Sequence, residues 1–222
     1  MRLEPVANPG LLRRLGLPAA ALVATVVTGS LLALSAGADP LATLGLIVTG
    51  AVGSKFAALE TLNRATPLIF TGLAVAVAFR AKLWSIGAEA QLYAGALVTA
   101  VLGAHPIVTG VPGMALIGLA AALAGALVLL GPVLLKTRLG VDEVVTTLLL
   151  NFVLLLVVSM LLEGVLKDPM GMGWPKSAPV AKSVRLPRLI EGLRLHWGFG
   201  LALIAAGLVW LMQARMRLGY EI

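Results

Sequence analysis

The stretch IVTGVPGMALIGLAAALAGALVLLGPVLL, residues 107–135, runs from end to end without one charged side chain. At about 1.5 Å per residue, a helix of that length exceeds the ~30 Å hydrocarbon layer of a bilayer. A helix that is apolar all round is buried in protein or lipid. Comparable runs at 18–38, 65–79, 85–104, 144–162 and 196–214 bring the expected crossings to six. The composition agrees: 59% of the 222 residues are apolar and 12% charged, against about 25% charged in an average soluble domain. The alternating ~10-residue segments of a transmembrane barrel are absent. The expected fold is an all-α integral membrane protein, a polytopic helical bundle forming one domain over 1–222, with 163–195 as an extracytoplasmic loop.

Local chemistry suggests where the spans begin. Thr66-Pro67 reads as an N-cap followed by proline at the first helical position, where its missing N–H costs nothing. Asp142, after Gly140, is placed to cap the fifth span, with Glu143 in a first turn that favours negative charge. The fourth span is longer than a bilayer needs, so tilt or a break near Pro112-Gly113 is expected to absorb the excess. Gly118, Ala122 and Ala126 form a small-residue row on that span, offset by Ala121 and Gly125 on the adjoining face, and such rows let helices approach closely. Arg13 and Arg14 followed by an apolar run ending Ala36-Gly37-Ala38 mimic a secretory signal. That run exceeds the roughly 7–15 residues of a signal core and leads into further spans, so it is read as a retained first helix.

Orientation follows from basic residues near span ends, which prefer the cytoplasm. With the N-terminus inside, Arg2, Arg13, Arg14, Arg80, Lys82, Lys136, Arg138, Arg215 and Arg217 fall inside. The outer segments 39–64 and 163–195 are longer and carry Asp39, Glu60, Glu163, Asp168 and Glu191 as counter-charge. The net charge of +7 is scattered between spans and forms no nucleic-acid-binding stripe. No cysteine is present, and His105 and His196 stand far apart, so neither thiol chemistry nor a metal site is expected.

The spans lack the nucleophile–base pairs and paired carboxylates of an enzyme. Glu89 is the one ionisable residue well inside an expected span. Charge at membrane depth faces protein or a water-filled path, although a cap at Ser85 would leave Glu89 merely in a dipole-favoured first turn. Gln91 lies about 200° around a regular helix from Glu89, so the two meet only if the segment is broken, which Gly87 permits. Asn151, with Thr147 and Ser159 on much the same face, reads either as an interhelical hydrogen bond or as lining of a substrate path. Trp84, Trp174, Trp197 and Trp210 sit toward span ends, as interfacial anchors do. No Walker A sequence occurs, so energy for transport must come from another subunit or an ion gradient.

The phrase from Gly72 through Phe79-Arg80-Ala81-Lys82-Leu83-Trp84-Ser85-Ile86-Gly87-Ala88-Glu89-Ala90-Gln91 resembles permease subunits of bacterial ABC importers for nucleosides and simple sugars. A second block supports this: Asp142-Glu143-Val144-Val145-Thr146-Thr147 on to Asn151, then Leu166-Lys167-Asp168-Pro169 and Gly173-Trp174-Pro175-Lys176-Ser177. Together they cover most of 65–190. Ser85 and Ala90 depart from the family's asparagine and glycine.

The resemblance implies a type II-like permease bundle in the bacterial inner membrane, paired with a second permease subunit and two cytoplasmic ATPase subunits that hold ATP and Mg²⁺. It also implies a lipid-anchored or periplasmic substrate-binding protein, docking on 163–195. This chain itself is expected to bind no cofactor and to be no enzyme. Substrate would pass by alternating access between spans two, three and five, with Phe79 and Trp84 stacking on a base and Glu89, Gln91, Asn151 and Thr147 bonding ribose or base edges. Gly87, Gly118 and Ala122 are the expected close-packing or hinge positions. The family continues past a stretch like Leu218-Gly219-Tyr220-Glu221-Ile222 into a coupling segment and more helices, so a part of a longer permease is expected. Rival cargoes are a pentose, a galactoside or a branched-chain amino acid, and a rival class is a structural membrane protein.

Overall fold

The computed structural model describes the backbone of residues 11–216 and the side chains from residue 15 onward. The expectations for Arg2, Arg217, the 218–222 stretch and the side chains of Arg13 and Arg14 lie outside the described residues. The chain divides into two compact units, 1–61 and 62–222.

The first unit holds α1 (Leu11–Ser35), α2 (Pro40–Val52) and the start of α3 (Lys55–Arg80). The Ala36-Gly37-Ala38 tripeptide ends α1. Gly37 takes φ 76°, and Ala38 N–H reaches back to Ala33 O at 2.9 Å, the Schellman closure that glycine makes easy. Asp39 then caps α2, accepting from Leu41 N–H at 2.9 Å, with Pro40 in the first turn. This helix corrects the reading of 39–64 as a plain outer segment. Its 13 residues reach only about 20 Å, short of a full crossing.

Helix α3 also begins ten residues before the expected 65. Its cap is Ser54, whose Oγ accepts from Ala57 N–H at 3.0 Å. Thr66 is buried in mid-helix and donates to Leu62 O at 3.1 Å, and Pro67 lies in the helix interior. Residues 55–64 combine charge with strong helix formers, so low hydropathy concealed a continuous helix.

The second unit holds the rest of α3 with α4 (Ala88–Ala104), α5 (Gly110–Leu139), α6 (Glu143–Glu163) and α7 (Gly198–Arg215). Helices α1, α3, α5, α6 and α7 are long and apolar enough to cross a membrane. The expected span 85–104 is the shorter α4, 17 residues beginning at Ala88. Asp142 caps α6 as expected, accepting from Val144 N–H at 2.8 Å and Val145 N–H at 3.2 Å. No break occurs near Pro112-Gly113. Helix α5 runs unbroken, with the pair in its first turn, where proline is tolerated.

Helices α4 and α5 pack antiparallel. A Cβ on Gly95 would stand 3.3 Å from Ala121 O, and one on Gly125 3.3 Å from Gln91 O. The close approach is therefore made by Gly95, Ala121 and Gly125. Gly118, expected to pack, has nothing within 4 Å of a Cβ built on it.

The 164–197 segment is folded rather than loose. Bridges join Lys167 to Ser177 and Arg188 to His196, Val184 and Leu195 are buried, and Ala181 N–H donates to Gly103 O at 2.7 Å. That last bond fixes the segment on the C-terminal end of α4.

Candidate functional site: a pinned turn and a cavity along α4

Helix α3 ends in the same Schellman geometry as α1, but with lysine where glycine is usual. Lys82 takes φ 55°, Leu83 N–H donates to Ala78 O at 2.9 Å and Lys82 N–H to Phe79 O at 3.0 Å. The chain then crosses to α4 through residues 83–87, in which Ser85 and Gly87 are buried. Backbone groups in such a connection need partners, and α6 provides them. Glu143, Thr147 and Asn151 recur every four residues and so share one face of α6. Trp84 N–H donates to Glu143 Oε1 at 3.3 Å, and Ile86 N–H to Thr147 Oγ1 at 3.1 Å. Asn151 uses both ends of its amide: Oδ1 accepts from Ala90 N–H and Nδ2 donates to Ile86 O, each at 2.9 Å.

Lys136 at the end of α5 donates to Lys82 O at 3.3 Å and forms an ion pair with Glu143. Gly87 makes the close approach feasible, since a Cβ there would stand 3.1 Å from Thr147 Cβ. Residues 84, 86 and 90 meet 143, 147 and 151 in order, so α4 and α6 run parallel.

Beside this turn a cavity of about 910 Å³ lies between α3, α4 and α5. Helix α4 presents Ala88, Gln91, Gly95 and Thr99 to it, and α5 presents Gly118, Ala122 and Ala126. Phe70 and Thr71 of α3 and Val180 of the 164–197 segment complete the polar, aromatic and outer parts of the wall. A second cavity of about 260 Å³ reaches Leu83 and Ser85 in the turn and shares Ala74, Ala88, Gln91 and Leu129 with the first.

The structure separates the residues expected to act together. Gln91 lines both cavities, whereas Glu89 is exposed in the first turn of α4, whose helix is regular from Ala88. Phe79 and Trp84 stack on each other, ring centroids 5.1 Å apart and planes at 38°, and line neither cavity. Thr147 and Asn151 are turned to the 86–90 backbone. The cavity borders α3, α4 and α5, and Thr147 and Asn151 of α6 line neither cavity. Gly118 and Ala122 are part of its wall.

Sequence reasoning missed Phe70, Thr71, Thr99 and Val180. The signal for Thr99 was available, since small and hydroxyl residues recur at three- and four-residue spacing along 88–100. His196 serves the backbone, its Nδ1 accepting from Gly198 N–H at 3.0 Å.

Residues 57–222 match the protein family described as branched-chain amino acid transport system / permease component. Among curated proteins, a glucose ABC transporter permease protein of Haloferax volcanii is 32% identical over 93% of this chain and 57% of its own length. A guanosine ABC transporter permease protein of Bacillus subtilis is 32% identical over 95% of this chain and 61% of its own. A nucleoside ABC transporter permease protein of Lactococcus lactis is 28% identical, over 95% and 60%. The chain thus spans about three fifths of the length of these relatives. No solved structure gives a significant match.

Proposed function

We propose that this chain, which belongs to the family of branched-chain amino acid transport system permease components, forms part of the membrane pathway of an ATP-driven importer whose cargo is a nucleoside. The importer comprises a second permease subunit, ATPase subunits that hold ATP and Mg²⁺ on the cytoplasmic side, and a substrate-binding protein outside. The N-terminus faces the cytoplasm. Our reading of the path rests on one observation: the groove along α4, where Gln91, Thr71, Thr99 and the Phe70 ring stand in an otherwise apolar wall. An aromatic face and one amide suit a flat, hydrogen-bonding solute. The guanosine and nucleoside names of two relatives favour this cargo, and the glucose name of the third supports a second reading, a simple sugar.

The test is uptake of labelled guanosine, adenosine and uridine in cells carrying or lacking the intact locus, with ribose, galactose, glucose and leucine as unlabelled competitors. Nucleoside uptake that disappears with the locus, requires ATP and ignores the competitors is the expected result. Uptake unaffected by the locus, or displaced by a sugar or leucine, overturns the nucleoside assignment.

A further inference from the structure

We infer that residues 167–177 form an interfacial anchor, a rigid hairpin that sets Met170, Met172 and Trp174 into the lipid headgroup layer at the end of α6 and holds the folded 164–197 segment on the bilayer. The inference goes beyond the permease reading and takes from it only that α6 crosses the membrane.

The hairpin is organised to present its tip. Its neck is the bridge between Lys167 and Ser177, with Asp168 N–H donating to Lys176 O at 2.8 Å. The Asp168 carboxylate accepts from Met170 N–H at 3.0 Å, and Gly171 N–H closes on Asp168 O at 2.9 Å. A second turn follows, in which Trp174 N–H donates to Gly171 O at 3.0 Å. Its central residues, Met172 and Gly173, take φ 51° and 87°, the two left-handed positions of a type I′ turn. Asparagine or glycine fills the first of these at least cost. Here a methionine holds it, 94% exposed, beside Met170 at 86% and Trp174 at 73%. Water-facing surfaces seldom concentrate apolar side chains in this way, and side chains so exposed add little to the packing of the hairpin itself.

What covers them follows from their level. Helix α6 has 21 residues, about 32 Å at 1.5 Å each, which matches the ~30 Å hydrocarbon layer. Its two ends therefore lie at the two lipid–water boundaries. Leu166 N–H still donates to Leu161 O at 2.8 Å, so the hairpin starts within a turn of the end of α6. On its other side Ala181 is bonded to Gly103 at the end of α4, so both stems stand at helix ends. Two successive turns, each less than about 7 Å across, keep the tip near that level. Side chains at this depth meet lipid headgroups, where tryptophan is enriched and methionine adapts to an irregular apolar surface. Lys167 and Lys176 flank the tip, exposed and without an ion pair among the described residues. Their ammonium groups are drawn to anionic phosphates at the bilayer surface.

The test uses the whole transporter in vesicles of phosphatidylcholine and phosphatidylglycerol. This chain holds no cysteine, so a nitroxide is placed on Met172→Cys or Met170→Cys and, as the aqueous reference, on the exposed Glu191→Cys, with any cysteine of the other subunits replaced. Collision rates are read with oxygen, which concentrates in lipid, and with a water-soluble nickel chelate. Nickel accessibility at 170 and 172 is expected at least fivefold below that at 191, with oxygen accessibility at least equal, before and after the substrate-binding protein is added. Omitting phosphatidylglycerol, or introducing Lys167→Gln with Lys176→Gln, should raise nickel accessibility at 172 at least twofold, and no change in either case overturns the role given to the lysines.

Nickel accessibility at 172 equal to that at 191 overturns the anchor. Low accessibility to both reagents overturns it in favour of a covering protein surface, and protection that arises only with the substrate-binding protein overturns it in favour of a docking site. The measurement needs no cargo. The expected pattern without nucleoside or sugar uptake overturns the cargo reading alone, whereas uptake with an aqueous tip overturns the anchor alone.

Discussion

Asn151 illustrates how one side chain joins parts of the chain remote in sequence, for its amide partners lie 61 and 65 residues earlier. Both are backbone groups of a connection, which leave no mark on residue type, so the sequence justified polarity at 151 without naming its partner. Asn151→Leu strands Ala90 N–H and Ile86 C=O, at about 1–3 kcal/mol for each unsatisfied group. The expected loss is ~2–4 kcal/mol in a detergent unfolding titration. Asn151→Asp retains the acceptor for Ala90 but sets a carboxylate oxygen, which cannot donate, against Ile86 C=O, so it should lose at least half as much, and parental stability in Asn151→Asp would deny the two-bond account. Lys82 makes the opposite case. Its left-handed backbone costs a non-glycine residue about 1 kcal/mol, and its carbonyl, not its side chain, meets Lys136. Lys82→Gly is therefore expected to raise the unfolding midpoint by ~0.5–1 kcal/mol equivalent, while a lower midpoint would mean that the lysine side chain contributes more than its backbone costs.

At the scale of elements, long uncharged runs were legible because lipid demands them, and the Asp142 cap because its chemistry is local. The start of α3 was not legible, since Lys55, Glu60 and Arg64 depress hydropathy without opposing a helix, and Pro67 looked like a beginning although it stands in the interior. The small residues of α5 were visible, but which face packs and which lines a cavity depends on α4 and α3. Glycines on α5 show how position decides consequence. A Cβ on Gly113 collides with the Val108 carbonyl and stands 2.9 Å from Val184 Cγ1, whereas one on Gly131 meets nothing within 4 Å. Gly113→Ala should destabilise by about 1–3 kcal/mol through overpacking against backbone. Gly131→Ala should stabilise by ~0.5–1 kcal/mol through helix propensity. Parallel thermal scans of the two purified variants decide the matter, and shifts of the same sign would contradict it.

For the second unit as a whole, the decisive asymmetry is charge at its two ends. One end gathers Arg80, Lys82, Lys136, Arg138 and Arg215 around the short α3–α4 and α5–α6 connections. The Arg80 guanidinium there donates to Gln213 O at 3.5 Å, an exposed link between the ends of α3 and α7. The other end carries Lys167, Lys176, Lys182, Arg185, Arg188 and Arg194 along a segment that also holds Glu163, Asp168 and Glu191. Orientation is governed by basic residues close to span ends in short connections, with long segments translocating largely regardless of charge. The end that holds the pinned turn should accordingly be cytoplasmic, within reach of an ATPase, with the folded 164–197 segment outside. Arg138→Cys is expected to react with an impermeant thiol reagent only in inverted vesicles, and Lys182→Cys only in intact cells. The reverse pattern would place the 164–197 segment, Val180 included, on the cytoplasmic side. It would also remove the outer surface assigned to a substrate-binding protein, so this mapping constrains partner placement as well as topology.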